Sequence, residues 1–191
     1  DKIKILFDSY HLYHLPQFEP LIDLLGMDKR FDIFHSTSNE IPNQEYDLCS
    51  SILRKKPGIF IEARTEKIRQ EKIKNLDLNF FICGWSRYDI DKYVTRKTIV
   101  GMIYHGIGIK PSYWLDNHQR LNLRFVEGEY RVNQLQQKGI DTRLELTGFI
   151  KLDPIFQKNK IDISSLKQKY NLDPSKKTIL FAPTFYPSSV E

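Results

Sequence analysis

The sequence predicts an α/β fold in which a parallel sheet carries helices on both of its faces. Short apolar runs rich in β-branched and aromatic residues alternate along the chain with segments that have helical periodicity. Strands that are separated by helices form βαβ units, and such units build parallel sheets whose two faces are both covered. The composition suits a folded core, since 40% of the residues are hydrophobic and 13% are aromatic.

The first half of the chain supplies four predicted strands. IKILF at residues 3–7 is the first strand, and FDIFHS at 31–36 is the second. GIFIEA at 58–63 and NFFICG at 79–84 follow as the third and fourth. Helical patterns separate these strands at residues 16–28, 43–54 and 64–76.

The same alternation continues up to residue 150. Further strands are predicted at TIVGMIY (98–104), LRFVE (123–127) and LELTG (144–148). The helix EYRVNQLQQKG lies between the last two and ends on Gly139, a residue that suits the end of a helix because it adopts left-handed backbone conformations easily. We therefore expect about six or seven parallel strands in a Rossmann-like domain that spans residues 1–150.

The pattern changes in residues 151–191, which are predicted to hold a linker, a short helix and one strand. The helix is expected to be capped by Ser164 or Ser165. The strand, Thr178–Ala182, looks like the opening strand of a second α/β domain of which the sequence holds only the beginning. One parallel strand cannot bury both of its faces alone, so we expect it to lie apart from the main sheet or to pair only weakly with it.

Charge is unevenly distributed along the chain. Residues 51–110 hold 13 basic and 6 acidic residues, a net charge of +7, whereas residues 1–50 have a net charge of −5. This basic segment predicts either a surface for an anionic polymer, a nucleotide or an anionic membrane, or a solvated helix face. No nucleic-acid-binding motif accompanies it, so nucleic acid is not an expected partner. The basic residues concerned are Arg54, Lys55, Lys56, Arg64, Lys67, Arg69, Lys72 and Lys74.

Other features narrow the class of protein. No apolar run approaches the roughly 20 residues of a membrane span. The opening segment DKIKILFDSYHLYHLP is not expected to be a signal peptide, because its apolar run is too short. Cys49 and Cys83 form no metal-binding or disulfide pattern. We therefore predict a reduced, cytoplasmic chain that could bind peripherally to the inner face of the cell membrane.

Three loops are expected at the carboxyl ends of strands, where open α/β sheets bind ligands. They are DSYHLYHLP, HGIGIKPSYW and GFIKLDP. In the second loop His105 ends a buried strand and titrates near neutrality, which suits proton transfer. Gly106 and Gly108 would let a ligand approach the backbone closely, and Lys110 could neutralise a phosphate. The alternative is a plain turn in which the histidine bonds to a carbonyl.

Two further histidines and one threonine are candidates for substrate contact. His11 and His14 follow Asp8 in the first loop, with a spacing that would suit an acceptor contact, a metal or ordinary loop histidines. We predict no metal and no other cofactor, because His35 and His118 are not clearly linked to this group. Thr184 would either donate a hydrogen bond to a phosphate or simply end a strand.

Three motifs occur in an order that resembles a known enzyme family. YHGIGIK is followed some forty residues later by LTGFIKLDPIF and then by ILFAPTF. This set is similar to the CDP-glycerol glycerophosphotransferase family, whose members prime and polymerise teichoic acids, and it covers about residues 100–186. Two positions depart from the family pattern: Phe149-Ile150 replaces a proline-containing segment, and Tyr186-Pro187 stands where an arginine is usual.

The resemblance implies a GT-B architecture, in which two Rossmann-like domains enclose the active site. This chain would hold the N-terminal acceptor-side domain and the start of the C-terminal donor-binding domain. His105 would be the general base, which deprotonates an acceptor hydroxyl for attack on the β-phosphorus of a CDP-alcohol. The expected partners are that donor and a lipid-linked or polymeric acceptor. Together with the loops above, the expected substrate contacts are Gly106, Gly108, Lys110, His11, His14, Lys151, Asp153 and Thr184.

Two other functions stay open from the sequence. One is a related GT-B enzyme that uses a nucleotide sugar, either a glycosyltransferase or a protein similar to UDP-sugar 2-epimerases. The other is a Rossmann-like binding domain without catalytic activity, for instance a docking module for an anionic polymer.

Overall fold

The computed structural model describes residues 2–108, 120–156 and 162–182. The chain divides into two compact units, Asp1–Asp153 and Pro154–Glu191. The first unit contains one sheet of seven strands, and every neighbouring pair is parallel. The strands are β1 Ile3–Asp8, β2 Phe31–Ser36, β3 Ile59–Phe60, β4 Phe80–Cys83, β5 Ile99–Ile103, β6 Leu123–Val126 and β7 Arg143–Leu146.

Helices connect most of these strands, which confirms the predicted α/β fold with a Rossmann-like parallel sheet. Single turns of 3-10 helix lie at Leu12–His14, Ile90–Lys92 and Ile150–Leu152. The α-helices of the first unit are α1 Leu15–Leu25, α2 Asn43–Leu53, α3 Glu66–Lys74 and α4 Glu129–Gln137.

Alternating side chains of the strands form an apolar core on each face of the sheet. In β1, Leu6 packs into a cluster that includes Ile73 of α3 and Leu135 of α4. Phe7, the next residue, belongs to the opposite cluster with Phe18 of α1. Successive residues of a strand point to opposite faces, so a strand that is buried on both sides is apolar throughout.

Strand β3 is shorter than predicted, with two paired residues in place of the expected segment 58–63. It lies at the edge of the sheet, where only one neighbour is present to pair with it. The backbone N–H of Ile61 still donates to the His35 carbonyl of β2 at 2.8 Å. Two residues further on, the Ala63 carbonyl accepts a hydrogen bond from the side chain of Asn39 at 3.0 Å. The other six strands of this sheet match their predicted positions within one or two residues.

The strand order places a crevice beside β1. The order is β3-β2-β1-β4-β5-β6-β7. Strands β2 and β3 therefore lie on one side of β1, and strands β4 to β7 lie on its other side. Loops that leave β1 and β4 at their carboxyl ends therefore diverge. Open α/β sheets bind ligands at such a switch point.

A buried ion-pair network ties α3 to the carboxyl ends of β1 and β2. The Asp8 carboxylate accepts hydrogen bonds from Arg69 Nη1 at 2.6 Å and from the Ser36 hydroxyl at 2.6 Å. Its other oxygen accepts the Tyr88 hydroxyl at 2.6 Å. Arg69 also pairs with Glu66 on its own helix, and the side chains of both Asp8 and Arg69 are fully buried.

The prediction that Arg69 belongs to a basic surface is wrong. It is drawn into the interior because Asp8 and Glu66 both face it there. Parts of the remaining segment are also neutralised, since Arg54 pairs with Glu62 at 2.9 Å and Lys56 pairs with acidic residues of α1. The basic charge of residues 51–110 therefore overstates the positive surface that this segment presents.

The second unit differs from its prediction in two places. Helix α6, Ile163–Lys169, is capped by Asp162, whose side chain accepts the backbone N–H groups of Ser164 and Ser165. Neither serine is the cap, because the carboxylate one position earlier reaches both donors. Residues 178–182 form no strand, since a strand needs a paired neighbour and residues 154–156 and 162–182 contain none.

The short helix α5, Asp153–Phe156, begins at the last residue of the first unit. The assignment of the second unit to a donor-binding domain stays a prediction. None of the helices in residues 2–108, 120–156 and 162–182 has the length and the apolar composition that a membrane span requires.

Arg69→Met is expected to lower the free energy of unfolding by about 3–5 kcal/mol, because it leaves two carboxylates buried without their cation. Arg54→Met is the matched control: it removes a solvent-exposed pair and should cost at most about 1 kcal/mol. Urea denaturation of both variants measures the difference. Equal, small losses would show that the buried network contributes little to stability.

Candidate functional site

Five aromatic rings cluster at the carboxyl ends of the central strands. His11, Tyr13 and His14 come from the loop and 3-10 helix after β1, Trp85 follows β4, and His105 follows β5. The His105 ring centroid lies 5.1 Å from that of His14 and 5.2 Å from that of Tyr13. The His14 ring lies 5.4 Å from Trp85. The switch point of the sheet therefore brings together the three histidines that the sequence singled out.

His105 is held by a hydrogen bond to the backbone of the neighbouring loop. Its Nδ1 lies 3.0 Å from the carbonyl oxygen of Gly84. A carbonyl oxygen only accepts, so Nδ1 carries the proton and the lone pair of the neutral ring is on Nε2. This hydrogen bond is compatible with both interpretations of His105, a histidine in a plain turn and a general base.

The surroundings of His105 favour its neutral form. Burial lowers its pKa below the ordinary 6.5, and the positive charges of Lys151 and Arg87 lower it further. The hydrogen bond to Gly84 acts in the opposite direction. The ring is therefore neutral near pH 7, which is the form that can accept a proton.

His14 is the fully buried member of this cluster, and it has the opposite tautomer. Its Nδ1 accepts the backbone N–H of His11 at 3.3 Å, so its proton is on Nε2. Nε2 has no hydrogen-bond partner among the described residues. Burial lowers the pKa of His14 to about 2, with smaller contributions from His105, His11 and Lys151. His14 is consequently a neutral hydrogen-bond donor over the whole physiological pH range.

His11 is oriented by a carboxylate from α2. Its Nδ1 lies 3.2 Å from Oε1 of Glu45, and the same oxygen accepts the backbone N–H of Leu12 at 2.9 Å. The Tyr13 ring stacks on that of His11 at a centroid distance of 4.9 Å. Glu45 therefore fixes both the ring of His11 and the start of the 3-10 helix that carries His14.

A cleft of about 470 Å³ opens beside the aromatic cluster. It shares Tyr13 with the cluster, and its lining is mostly apolar apart from two carboxylates. Its size is within the range of small-molecule sites in proteins. The lining residues are Leu12, Tyr13, Leu15, Pro16, Glu19, Glu45 and Ile52.

The other predicted site residues are placed unevenly. Lys151 lies close enough to His105 and His14 to lower the pKa of each. Asp153 is exposed at the start of α5. Gly106 is half-buried next to His105, and the Gly108 carbonyl accepts a hydrogen bond from Arg131 of α4 at 2.6 Å. Lys110 and Thr184 lie outside the described residues.

The residues Asp8, His11 and His14 do not form a metal site in this arrangement. Both carboxylate oxygens of Asp8 are engaged by Ser36, Arg69 and Tyr88. Within residues 2–108, 120–156 and 162–182, no group of three or more histidine, cysteine or acidic side chains is arranged to hold a metal ion.

The sequence patterns do not single out five residues of this site, and Arg87, whose charge acts on His105, is one of them. Gly84 is the last residue of a predicted strand and Trp85 follows it. Residues at the carboxyl end of a parallel strand are candidates for a site, so their position could have identified them. Tyr13 lies between the two histidines of the first loop, so its position in the sequence could also have identified it. No feature of the sequence could have identified Glu45, because it lies in α2 and not in a loop at the carboxyl end of a strand.

Comparison with models of known protein families finds no match to this chain, and comparison with curated proteins finds none either.

His14→Phe is expected to flatten the pH dependence of stability below pH 6.5. Because the pKa of His14 is about 2 in the folded chain and 6.5 ordinarily, the unfolded chain binds a proton between these values that the folded chain does not. The free energy of unfolding should therefore fall as the pH falls, by about 1.4 kcal/mol per pH unit from this group.

Urea titrations between about pH 7.5 and 5 measure this slope in the wild-type chain and in the variant. The comparison uses the change in stability with pH, so any constant loss from altered packing does not affect it. Identical slopes would show that His14 is not held neutral by burial.

Proposed function

We propose that this chain supplies the general base and the acceptor side of a phosphotransferase similar to CDP-glycerol glycerophosphotransferases. The observation that carries the proposal is the placement of His105. It follows β5 in the aromatic cluster at the switch point, with Nδ1–H engaged by Gly84 and the lone pair on Nε2. The donor would be a CDP-alcohol and the acceptor a lipid-linked or polymeric alcohol.

The proposed step transfers a polyol phosphate to a hydroxyl group. Nε2 of His105 takes the proton of the acceptor hydroxyl while its oxygen attacks the β-phosphorus of the CDP-alcohol. A new P–O bond forms to the acceptor, and the bond between the β-phosphorus and the bridging oxygen breaks. CMP leaves with the electron pair of that bond. A base aligned in this way contributes about 10²–10⁴-fold to the rate.

Positive charge near His105 supports an anionic donor. Lys151 and Arg87 are close enough to the ring to lower its pKa. The same charges would attract the diphosphate of a nucleotide donor, since phosphate oxygens are stabilised by neighbouring cations. These two residues would therefore serve the proposed reaction in two ways: they add to the effect of burial in lowering the pKa of His105, and they favour the negatively charged substrate.

The cleft beside Tyr13 supports an acceptor of moderate size. It offers an aromatic face and the carboxylates of Glu19 and Glu45, which can accept hydrogen bonds from hydroxyl groups. Tyr13 also contacts the ring of His105. Tyr13 is therefore shared by the lining of the cleft and by the surroundings of the proposed base.

His105→Gln in the full-length protein is expected to lower kcat by about 10²–10⁴-fold and to change KM little, because a general base acts in the transition state. Its melting temperature should stay close to that of the wild type, since one lost hydrogen bond is worth about 1 kcal/mol. The activity is measured as the release of CMP from CDP-glycerol and CDP-ribitol. The release of UDP from UDP-sugars is measured for comparison.

His35→Gln is the matched control for this experiment. His35 also bonds to a backbone carbonyl, that of Pro57 at 2.5 Å, but it lies within β2. This variant should lose stability and keep its turnover. Wild-type turnover in His105→Gln would identify His105 as a turn residue, and transfer from UDP-sugars alone would contradict the proposed donor.

The acid limb of kcat/KM is expected below pH 6.5, because the pKa of His105 is lowered by burial and by nearby positive charge. Lys151→Gln removes one of these charges, so the limb should move toward higher pH. A pH–rate profile of both proteins measures the shift. An acid limb that stays in place in the variant would mean that another group controls it.

A further inference from the structure

Gly84 contacts both neutral histidines of the cluster, one through its carbonyl and one through its α-carbon. Its carbonyl oxygen accepts Nδ1–H of His105 at 3.0 Å. A β-carbon at this position would lie 2.7 Å from Cγ of His14 and 2.8 Å from Nε2 of Gln17. Heavy atoms do not approach a β-carbon so closely, so the packing around this strand end requires the absence of a side chain.

Gln17 extends the same packing to β5. Its Nε2 donates to the carbonyl of Ile103 at 3.4 Å, and Ile103 is the last residue of that strand. Both Gln17 and His14 are fully buried. The ends of β4 and β5 are therefore held by neighbouring side chains, and the hydrogen bond between Gly84 and His105 joins the segments that follow these two ends.

We propose that Gly84 is a positioning residue for His105: its lack of a side chain lets His14 and Gln17 pack against the end of β4 and keep the Gly84 carbonyl where it fixes the tautomer of His105. The inference rests on the proposed function for the role of His105 as a base. Its geometry does not depend on that role.

A methyl group at position 84 would have to displace the His14 ring or the end of β4. If the strand end moves, Nδ1–H of His105 loses its acceptor and the tautomer with the proton on Nε2 becomes populated. That tautomer places the lone pair on Nδ1, toward Gly84, where it cannot take a proton from a substrate.

Nitrogen-15 NMR of labelled histidine measures this directly, because protonated and unprotonated ring nitrogens resonate in separate regions. The His105 signals are assigned by their loss in His105→Gln. We expect the Nδ1–H form in the wild-type chain and a mixture of both tautomers in Gly84→Ala. In the full-length protein, kcat of this variant should fall at least about ten-fold, since small misplacements of a reacting group are costly.

Gly101→Ala is the matched control. A β-carbon there would meet the Phe125 ring at 2.9 Å and Ile82 at 3.0 Å, which is similar crowding within the apolar core. This variant should lower the melting temperature and leave the tautomer of His105 unchanged. An equal tautomer change in Gly101→Ala would show that general strain is the cause and would overturn the proposal, as would a folded Gly84→Ala with the wild-type tautomer.

The double variant Gly84→Ala/His14→Ala tests the packing argument itself. Removal of the imidazole makes room for the new methyl group, while the end of the Gln17 side chain can move aside. We expect this protein to fold and to recover the Nδ1–H form of His105, even if the single variant does not fold. Failure of the double variant to fold, or a persistent mixture of tautomers, would overturn the proposal.

The NMR result also separates this inference from the proposed function. Tautomers are observed without substrate, so a chain that shows the expected tautomers but transfers no phosphate would count against the phosphotransferase alone.

Discussion

The carboxyl end of β1 is held by an ion pair that solvent does not reach, and the arrangement of the candidate site depends on it. The Asp8 carboxylate binds Ser36 of β2, Arg69 of α3 and Tyr88 of the loop after β4. One carboxylate thus connects three elements at the switch point. Because a buried charge that loses its partner is strongly destabilising, this network disfavours any arrangement in which β1 ends elsewhere. The histidine loop begins only three residues after Asp8, so its position follows from this constraint.

Three histidines at one edge of the sheet differ in chemistry because their neighbours differ. His14 accepts from a backbone N–H at Nδ1 and therefore carries its proton on Nε2. His105 donates to a carbonyl through Nδ1 and keeps its lone pair on Nε2. His11 faces the carboxylate of Glu45. In the sequence the three are the same residue type in similar loops, and only the folded backbone assigns them different roles.

The sequence predicts most of the strands because burial on both faces leaves a local trace, a short apolar run. It predicts the position of His105 for the same reason, since the run ends there. It does not predict which strands are neighbours, because pairing joins residues that are far apart. Arg69 shows the limit clearly: its partner Asp8 is 61 positions away, so a buried arginine is indistinguishable in sequence from the exposed ones around it. The prediction of a strand at residues 178–182 is wrong, because an apolar run indicates only a tendency to pair, and a strand forms only where a neighbouring strand is present.

The position of β1 between β2 and β4 also bears on the order in which the domain folds. β1 and β2 are close in sequence, whereas Lys4 and Asn79, which bond at the junction of β1 and β4, are 75 positions apart. Closing so long a loop is entropically costly and slow compared with local pairing. A folding intermediate that contains only β1, β2 and β3 would have part of a core and no histidine cluster, because Trp85 and His105 reach His14 only after β4 and β5 have joined the sheet. The candidate site is thus a property of the complete sheet, and a ligand bound there would select the fully folded chain over its partly folded states.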